Sequence, residues 1–145
     1  MRVFAFYSNV ADAEMGLFAT SKSRFPKKAD WIKRKLEADP YFRFSDYMNR
    51  KPMDRDLEGF ESLRLNDKYR FIFKVVEADT LKYSVSPKAY QKAISEGFKE
   101  GEYDVVVYIR DAIWNYHRYN ELNGKNSTTL HAMFSDSVDF NIDGD

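Results

Sequence analysis

The chain has 145 residues, the length of one domain, and its 43% apolar and 32% charged residues are typical of a globular protein. It contains no cysteine, which excludes disulfides, thiolate nucleophiles and cysteine-ligated zinc or iron–sulfur sites. No stretch approaches the roughly 20 apolar residues of a membrane span, and the apolar run at the start is too short for a signal peptide. We therefore expect a cytoplasmic protein.

The formal net charge is zero, but the charges are unevenly distributed. Residues 20–74 hold 15 basic and 9 acidic side chains, a balance of +6, and the rest of the chain has the opposite balance of −6. A local basic surface can bind a polyanion even when the whole protein is neutral. The same distribution is compatible with an ordinary solvated surface.

The first half of the chain predicts a strand followed by two helices. Val3–Tyr7 is apolar and aromatic, and Asn9 is placed to cap a first helix. Pro26 suits the first turn of a second helix, which ends at Asp39-Pro40 because the residue before proline disfavours the helical conformation. Residues 41–55 are aromatic and basic without a clear period, which predicts a loop or an irregular strand.

The second half predicts a hairpin, a helix and a buried strand. Residues 60–65 and 69–76 are rich in strand-forming side chains and flank a turn-like segment. Ser86-Pro87 is typical of a helix start. Residues 104–110 predict a central strand, and the apolar spacing over 112–120 predicts that a helix follows it.

These elements predict an α+β domain with a small twisted, mostly antiparallel sheet and helices packed on one face. We expect one domain over residues 1–123, with a helical insertion at about 77–102. Residues 124–145 are polar and then acidic, which predicts a tail.

The sequence lacks the common motifs of nucleotide-binding proteins, serine hydrolases and zinc proteases. No glycine-rich phosphate loop, nucleophile elbow or H-E-x-x-H metal motif occurs. The two histidines, His117 and His131, lie 14 residues apart without an acidic cluster at metal-binding spacing. We therefore expect no metal and no cofactor, which leaves metal-free acid–base chemistry, binding or a structural role.

Two arginines in the predicted hairpin are the main candidates for a functional site. Arg64 and Arg70 lie on adjacent strands, and a guanidinium within a strand needs water, an anion or an acidic partner. Two such groups can converge on one phosphate. Alternatively, each forms a salt bridge on an open face of the sheet, and the spacing alone does not decide between the two.

The sequence around these arginines resembles the RelE/ParE toxin superfamily, and most closely its YoeB- and HigB-type members. In that family a Leu-x-Gly-Phe/Tyr-x-Ser-x-Arg run leads into a hairpin whose second strand begins with an aromatic residue or histidine followed by arginine. The matching positions are Leu57, Gly59, Phe60, Ser62, Arg64 and Arg70. The order of elements also agrees, and the resemblance covers roughly residues 1–76 and 103–119.

The resemblance implies a metal-independent endoribonuclease that cleaves mRNA at the ribosome and is neutralised by an antitoxin. Arg64 and Arg70 would hold the phosphate, His117 would be the general acid, and Tyr116 would orient the phosphate or stack on a base. The implied RNA contacts are Lys22, Lys27, Lys28, Arg34, Arg50, Lys51, Lys68, Arg110 and Tyr119.

The chain also departs from the family pattern. Lys51 stands where YoeB-type members have a glutamate base, with Asp54 and Glu58 nearby, so the base is unassigned. The insertion and the 26 residues after Tyr119 are additional to the usual pattern. They suit an alternative, a non-catalytic binding protein on the same fold, such as a ParE-like inhibitor of a protein target or an interaction module.

Overall fold

The structure, a computed structural model, describes residues 1–19 and 23–115. Its centre is a five-stranded sheet in the order β1-β5-β4-β3-β2. β1 and β5 are parallel, and the other neighbouring strands are antiparallel. The strands are β1 (Val3–Tyr7), β2 (Lys51–Pro52), β3 (Glu61–Arg64), β4 (Tyr69–Glu77) and β5 (Val105–Asn115). The α+β class with a mostly antiparallel sheet is confirmed.

The described residues also form four α-helices: α1 (Asn9–Ala19), α2 (Phe25–Ala38), α3 (Leu81–Ser84) and α4 (Pro87–Ser95). The cap of α1 is Ser8, whose hydroxyl accepts a hydrogen bond from the Ala11 amide at 2.9 Å. The prediction that Asn9 is the cap is wrong, since Asn9 is already helical. In α4 the Ser86 hydroxyl accepts from the Ala89 amide, as the sequence predicts.

The larger core lies between one face of the sheet and the first two helices. Ile32 and Leu36 of α2 are fully buried, because the apolar residues of this helix recur on one side while its lysines and arginines face outward. They belong to one cluster with Phe71 and Phe73 of β4 and Ile109 of β5. Burial of these side chains is the main stabilising contribution to this half of the fold.

The insertion forms a second core on the other face of the sheet. Val106 and Tyr108 alternate with Val107 and Ile109 along β5, and successive side chains of a strand project from opposite faces. Leu81 of α3 and Ala89 and Ala93 of α4 pack in the same cluster as Val106 and Tyr108. The insertion therefore acts as the second layer over one end of the sheet.

Residues 112–115, where the sequence predicts the start of a helix, are instead part of a strand, because β5 continues to Asn115; the rest of that predicted helix lies outside the described residues. β4 pairs with β5 as far as its end, with Arg70 opposite Trp114 and Tyr69 opposite Asn115. The register between the two strands shifts at two points. Pairing along a whole strand outweighs the weak helical spacing of these residues. The final segment of β5 is consequently part of the sheet.

Candidate nucleic-acid interface

Three side chains from three neighbouring strands form one line across the sheet. The register places Arg64 of β3 opposite Arg70 of β4, and Arg70 opposite Trp114 of β5. Residues directly opposite in antiparallel strands project from the same face. All three are partly exposed, and we call them the cross-strand row.

The same face carries further cations near the cross-strand row. Lys51 of β2 is exposed and lies opposite Ser62 of β3. Ser62 is two residues before Arg64 and therefore projects from the same face. Lys74 of β4 lies on it as well, with its ammonium 4.5 Å from the centre of the Phe60 ring. The Lys74 ammonium also donates to the Ser84 carbonyl of α3, so the insertion borders this surface.

The two arginines make different local contacts. Arg70 donates through Nη1 to the carbonyls of Asn66 and Tyr69, at 2.6 and 3.1 Å, which holds it against the hairpin turn. The Arg64 guanidinium lies over the Tyr47 ring, 5.6 Å from its centre. Its Nε is buried without a hydrogen-bond partner among the residues described. A buried donor without a partner carries a desolvation cost.

Lysines extend this positive surface to the tip of the hairpin. Lys28 of α2 donates to the Leu65 carbonyl at 2.9 Å and lies 5.8 Å from the centre of the Tyr47 ring. Partial burial lowers the pKa of Lys28. Lys27 and Lys68 are exposed, and the Lys68 ammonium lies over the Tyr69 ring. Four of the residues assigned to RNA contact thus have a place on or beside this surface: Lys27, Lys28, Lys51 and Lys68.

Arg110 is buried rather than exposed, which corrects its assignment as an RNA contact. Its side chain is 2% exposed, and Nη1 lies 2.7 Å from Oδ1 of Asp111, which is fully buried. A buried guanidinium beside a buried carboxylate is a structural ion pair. Sequence reasoning missed this because nothing local distinguishes a buried arginine at the end of a strand from an exposed one.

Arg50 is likewise a structural residue. It donates to both carboxylate oxygens of Glu61 at 2.8 and 3.0 Å and to the carbonyls of Pro40 and Phe42. Glu61 pairs with Phe73, so it projects from the face opposite the cross-strand row. Its carboxylate is therefore not placed to act as a base for chemistry at that row.

Several predicted site residues lie outside the described part of the chain: Lys22, Tyr116, His117 and Tyr119. Within residues 1–19 and 23–115, no group of three or more histidine, aspartate and glutamate side chains is arranged to hold a metal ion. The helices of those segments include none that is long and apolar enough to cross a membrane.

The structure adds two aromatic residues that were not among the predicted site residues. Trp114 joins the cross-strand row only because β5 is longer than predicted. Tyr47 is 53% exposed and contacts both Lys28 and Arg64. The sequence indicates a role for Tyr47 only by its position in a run of four aromatic residues, Tyr41, Phe42, Phe44 and Tyr47. It does not show which of these rings are buried.

Comparison with known proteins gives structural matches only. The chain matches no family model and no curated protein. A YoeB/ParE toxin from Agrobacterium tumefaciens matches with a TM-score of 0.51 and 13% identity over 80% of this chain and 100% of its own. A YoeB dimer from Staphylococcus aureus matches at 0.49, with the same identity and coverage. A YafQ mutant from E. coli matches at 0.48 and 8% identity, over 79% of this chain and 94% of its own.

The first of these matches covers all of the toxin and the larger part of this chain. At 13% identity the likeness concerns the path of the backbone, and it agrees with the hairpin motif read from the sequence. This chain therefore has the fold of the RelE/ParE toxin superfamily.

Proposed function

We propose that this chain is the toxin of a toxin–antitoxin pair and a metal-independent endoribonuclease that cleaves mRNA at the ribosome. The observation that supports this most directly is the cross-strand row, with Arg64, Arg70 and Trp114 on one face of a RelE/ParE-type sheet. Two guanidinium groups and an aromatic ring suit a phosphate with an adjacent base.

The proposed reaction requires no group beyond the RNA and the protein. The ribose 2′-oxygen attacks the neighbouring phosphorus and loses its proton, the bond from phosphorus to the 5′-oxygen breaks, and the leaving oxygen gains a proton. Negative charge accumulates on the non-bridging oxygens in the transition state, and positioned cations stabilise it there. Arg64 and Arg70 have this role in the proposal, and Trp114 stacks on a base.

The proton transfers are assigned to different residues. His117, which follows Trp114 by three residues in the sequence, is the proposed acid, because an imidazole titrates near neutral pH. Tyr116 and Tyr119 orient the RNA. Among the described residues, Lys51 is the candidate that lies beside the row on its exposed face, as a phosphate contact or as the base. The antitoxin would neutralise the toxin by covering this positive surface.

The test is induced expression in a bacterial host, with growth and mRNA integrity measured. Wild type is expected to arrest growth and cleave mRNA. Arg70→Ala and His117→Ala are each expected to reduce cleavage by about 100-fold or more, since each removes a group that acts in the transition state. Lys88→Ala, which removes an exposed lysine from α4 in the insertion, is the matched control and should behave as wild type.

A second candidate is a non-catalytic protein that binds a target through the same face. It is favoured by the composition of the cross-strand row, because neither an arginine nor a tryptophan is a proton acceptor at neutral pH. Growth arrest with intact mRNA would support a ParE-like inhibitor of a protein target. Absence of arrest would support an interaction module and contradict the toxin proposal.

A further inference from the structure

We propose that a cavity beside the 40–50 loop binds one base of single-stranded RNA, separately from the phosphate site at the cross-strand row. This inference rests on the proposed function, which it extends by assigning a base-binding position. The cavity has a volume of about 500 Å³ and lies between the loop and the edge of the sheet. Its lining includes Tyr41, Phe42, Arg43, Asn49 and Arg50.

Arg50 provides a rigid flat surface in this cavity. Four hydrogen bonds, to Glu61 and to the carbonyls of Pro40 and Phe42, occupy the edge of its guanidinium. Its central carbon lies 5.0 Å from the centre of the Phe73 ring, so the group also packs against the core. Arg50 lines the cavity while it is held in this way, and guanidinium planes stack well on nucleobases.

Tyr41 supplies an aromatic ring at the rim. Its side chain is 65% exposed, although exposing so large a ring gains nothing for folding. The backbone beneath it is fixed, since the Tyr41 amide donates to the Asp39 carboxylate at 2.9 Å and the Phe42 amide donates to the Asp39 carbonyl at 3.0 Å. Tyr41 and Arg50 line the same cavity, and an aromatic ring and a guanidinium can each stack on a planar ligand.

The surroundings favour RNA over a protein side chain as the source of that ligand. Arg43 is 91% exposed and lies 4.0 Å from the Asp46 carboxylate, which also lines the cavity. The Lys35 ammonium lies 5.3 Å from the centre of the Phe42 ring. Arg43 and Lys35 can both approach phosphates. The exposed Asn49 offers an amide, which can donate to and accept from a base edge.

The 40–50 loop also connects the cavity to the cross-strand row. The Met48 carbonyl accepts a hydrogen bond from the Arg64 amide at 2.7 Å, and the Tyr47 ring lies under the Arg64 guanidinium. An RNA strand with a phosphate at Arg64 can therefore follow this loop and place another nucleotide at the cavity.

The experiment uses the full chain and a short single-stranded RNA that carries 2′-O-methyl groups, so that it cannot be cleaved, and one 2-aminopurine base. Fluorescence anisotropy gives the affinity, and quenching of 2-aminopurine reports stacking. Tyr41→Ala is expected to bind about tenfold more weakly and to lose the quenching. Tyr41→Phe should retain both. Tyr83→Ala, which removes a tyrosine that is 80% exposed on α3, is the matched control.

The outcomes separate this inference from the proposed function. Arg64→Ala should weaken RNA binding but retain the quenching at saturation, because it acts on a phosphate. If wild type cleaves mRNA in the host but Tyr41→Ala binds and quenches as wild type does, the cavity does not bind a base. That result would overturn this inference and leave the proposed function standing. The same result is expected if the cavity instead binds an aromatic side chain of a protein partner. If wild type neither cleaves mRNA nor binds the oligonucleotide, both proposals fail.

Discussion

Glu14 of α1 is a buried carboxylate that completes the hydrogen bonding of the sheet. β1 ends at Tyr7, and beyond that point no strand of the described residues pairs with this edge of β5. Glu14 lies there instead, and its Oε1 accepts from the amides of Ala112 and Ile113 at 2.7 and 3.3 Å. Burial, together with the charge of Asp111 and a hydrogen bond to it, raises the pKa of Glu14 well above its usual 4.5.

This raised pKa predicts how stability depends on pH. Protonated Glu14 stabilises the fold fully below about pH 4.5, and the contribution is lost as the pH rises through the folded-state pKa. Glu14→Gln keeps an acceptor for the two amides and a donor for Asp111 without a charge. We therefore expect this variant to be at least as stable as wild type at pH 8 and to lose less stability between pH 5 and pH 8.

Denaturant unfolding at both pH values measures this effect. Glu14→Ala leaves two buried amides without an acceptor and should lower the free energy of unfolding by about 1–3 kcal/mol at pH 5. Glu102→Gln, at an exposed position, is the control for removal of a carboxylate. Equal destabilisation by Glu14→Gln and Glu14→Ala would contradict the role of Glu14 as a neutral hydrogen-bonding group beside Asp111.

At the scale of elements, the insertion is an integral part of the fold. Leu81 of α3 is fully buried against the second sheet face, whereas Tyr83 in the same helix is 80% exposed. Ser86 caps α4, and Lys92 of α4 bridges Asp12 of α1 at 2.8 Å and the Tyr7 carbonyl at 2.9 Å. These contacts fasten the insertion to the sheet and to the first helix.

The pair of residues in α3 tests this interpretation. Leu81→Ala should lower the free energy of unfolding by about 2–5 kcal/mol, because it leaves a cavity in the second core. Tyr83→Ala should change it by less than about 0.5 kcal/mol, since the ring is largely in water. Thermal or denaturant unfolding of the two variants gives the comparison. If both variants were equally mild, the insertion would be loosely attached rather than a second core.

At the scale of the whole molecule, zero net charge does not preclude RNA binding. The segment with the +6 balance contains α2, the 40–50 loop, β3 and the first six residues of β4, and β3 and β4 carry the two arginines of the cross-strand row. Acidic residues elsewhere limit non-specific binding of polyanions. The charge distribution therefore concentrates the positive potential on one region of the surface.

Salt dependence of RNA binding measures how many phosphates that region contacts. For single-stranded RNA the logarithm of the binding constant should fall with the logarithm of salt concentration, by about 0.7 for each phosphate contact. Arg64→Ala should reduce that slope by about 0.7, and Lys88→Ala should not change it. An unchanged slope for Arg64→Ala would show that this arginine does not contact RNA phosphate.

The sequence determined much of the fold because local signals and global packing agreed over most of the chain. The apolar period of α2, the Ser86-Pro87 start of α4 and the strand-forming runs of the hairpin each predict the element that forms. The same hairpin predicts the two arginines on neighbouring strands and carries the family resemblance. These features depend on residues near one another in the chain, which is why they could be read in advance.

Tertiary structure decided the features that depend on distant partners. β5 extends to Asn115 because β4 is there to pair with it, and this extension brings Trp114 beside Arg70. Arg110 is buried with Asp111, so one of the assigned surface cations is internal, and Arg50 is held by Glu61 in the wall of a cavity. The insertion covers one end of the second sheet face, a position that its own sequence does not specify. Whether a charged side chain faces water or the core depends on which segments pack over it, and only the assembled sheet fixes that.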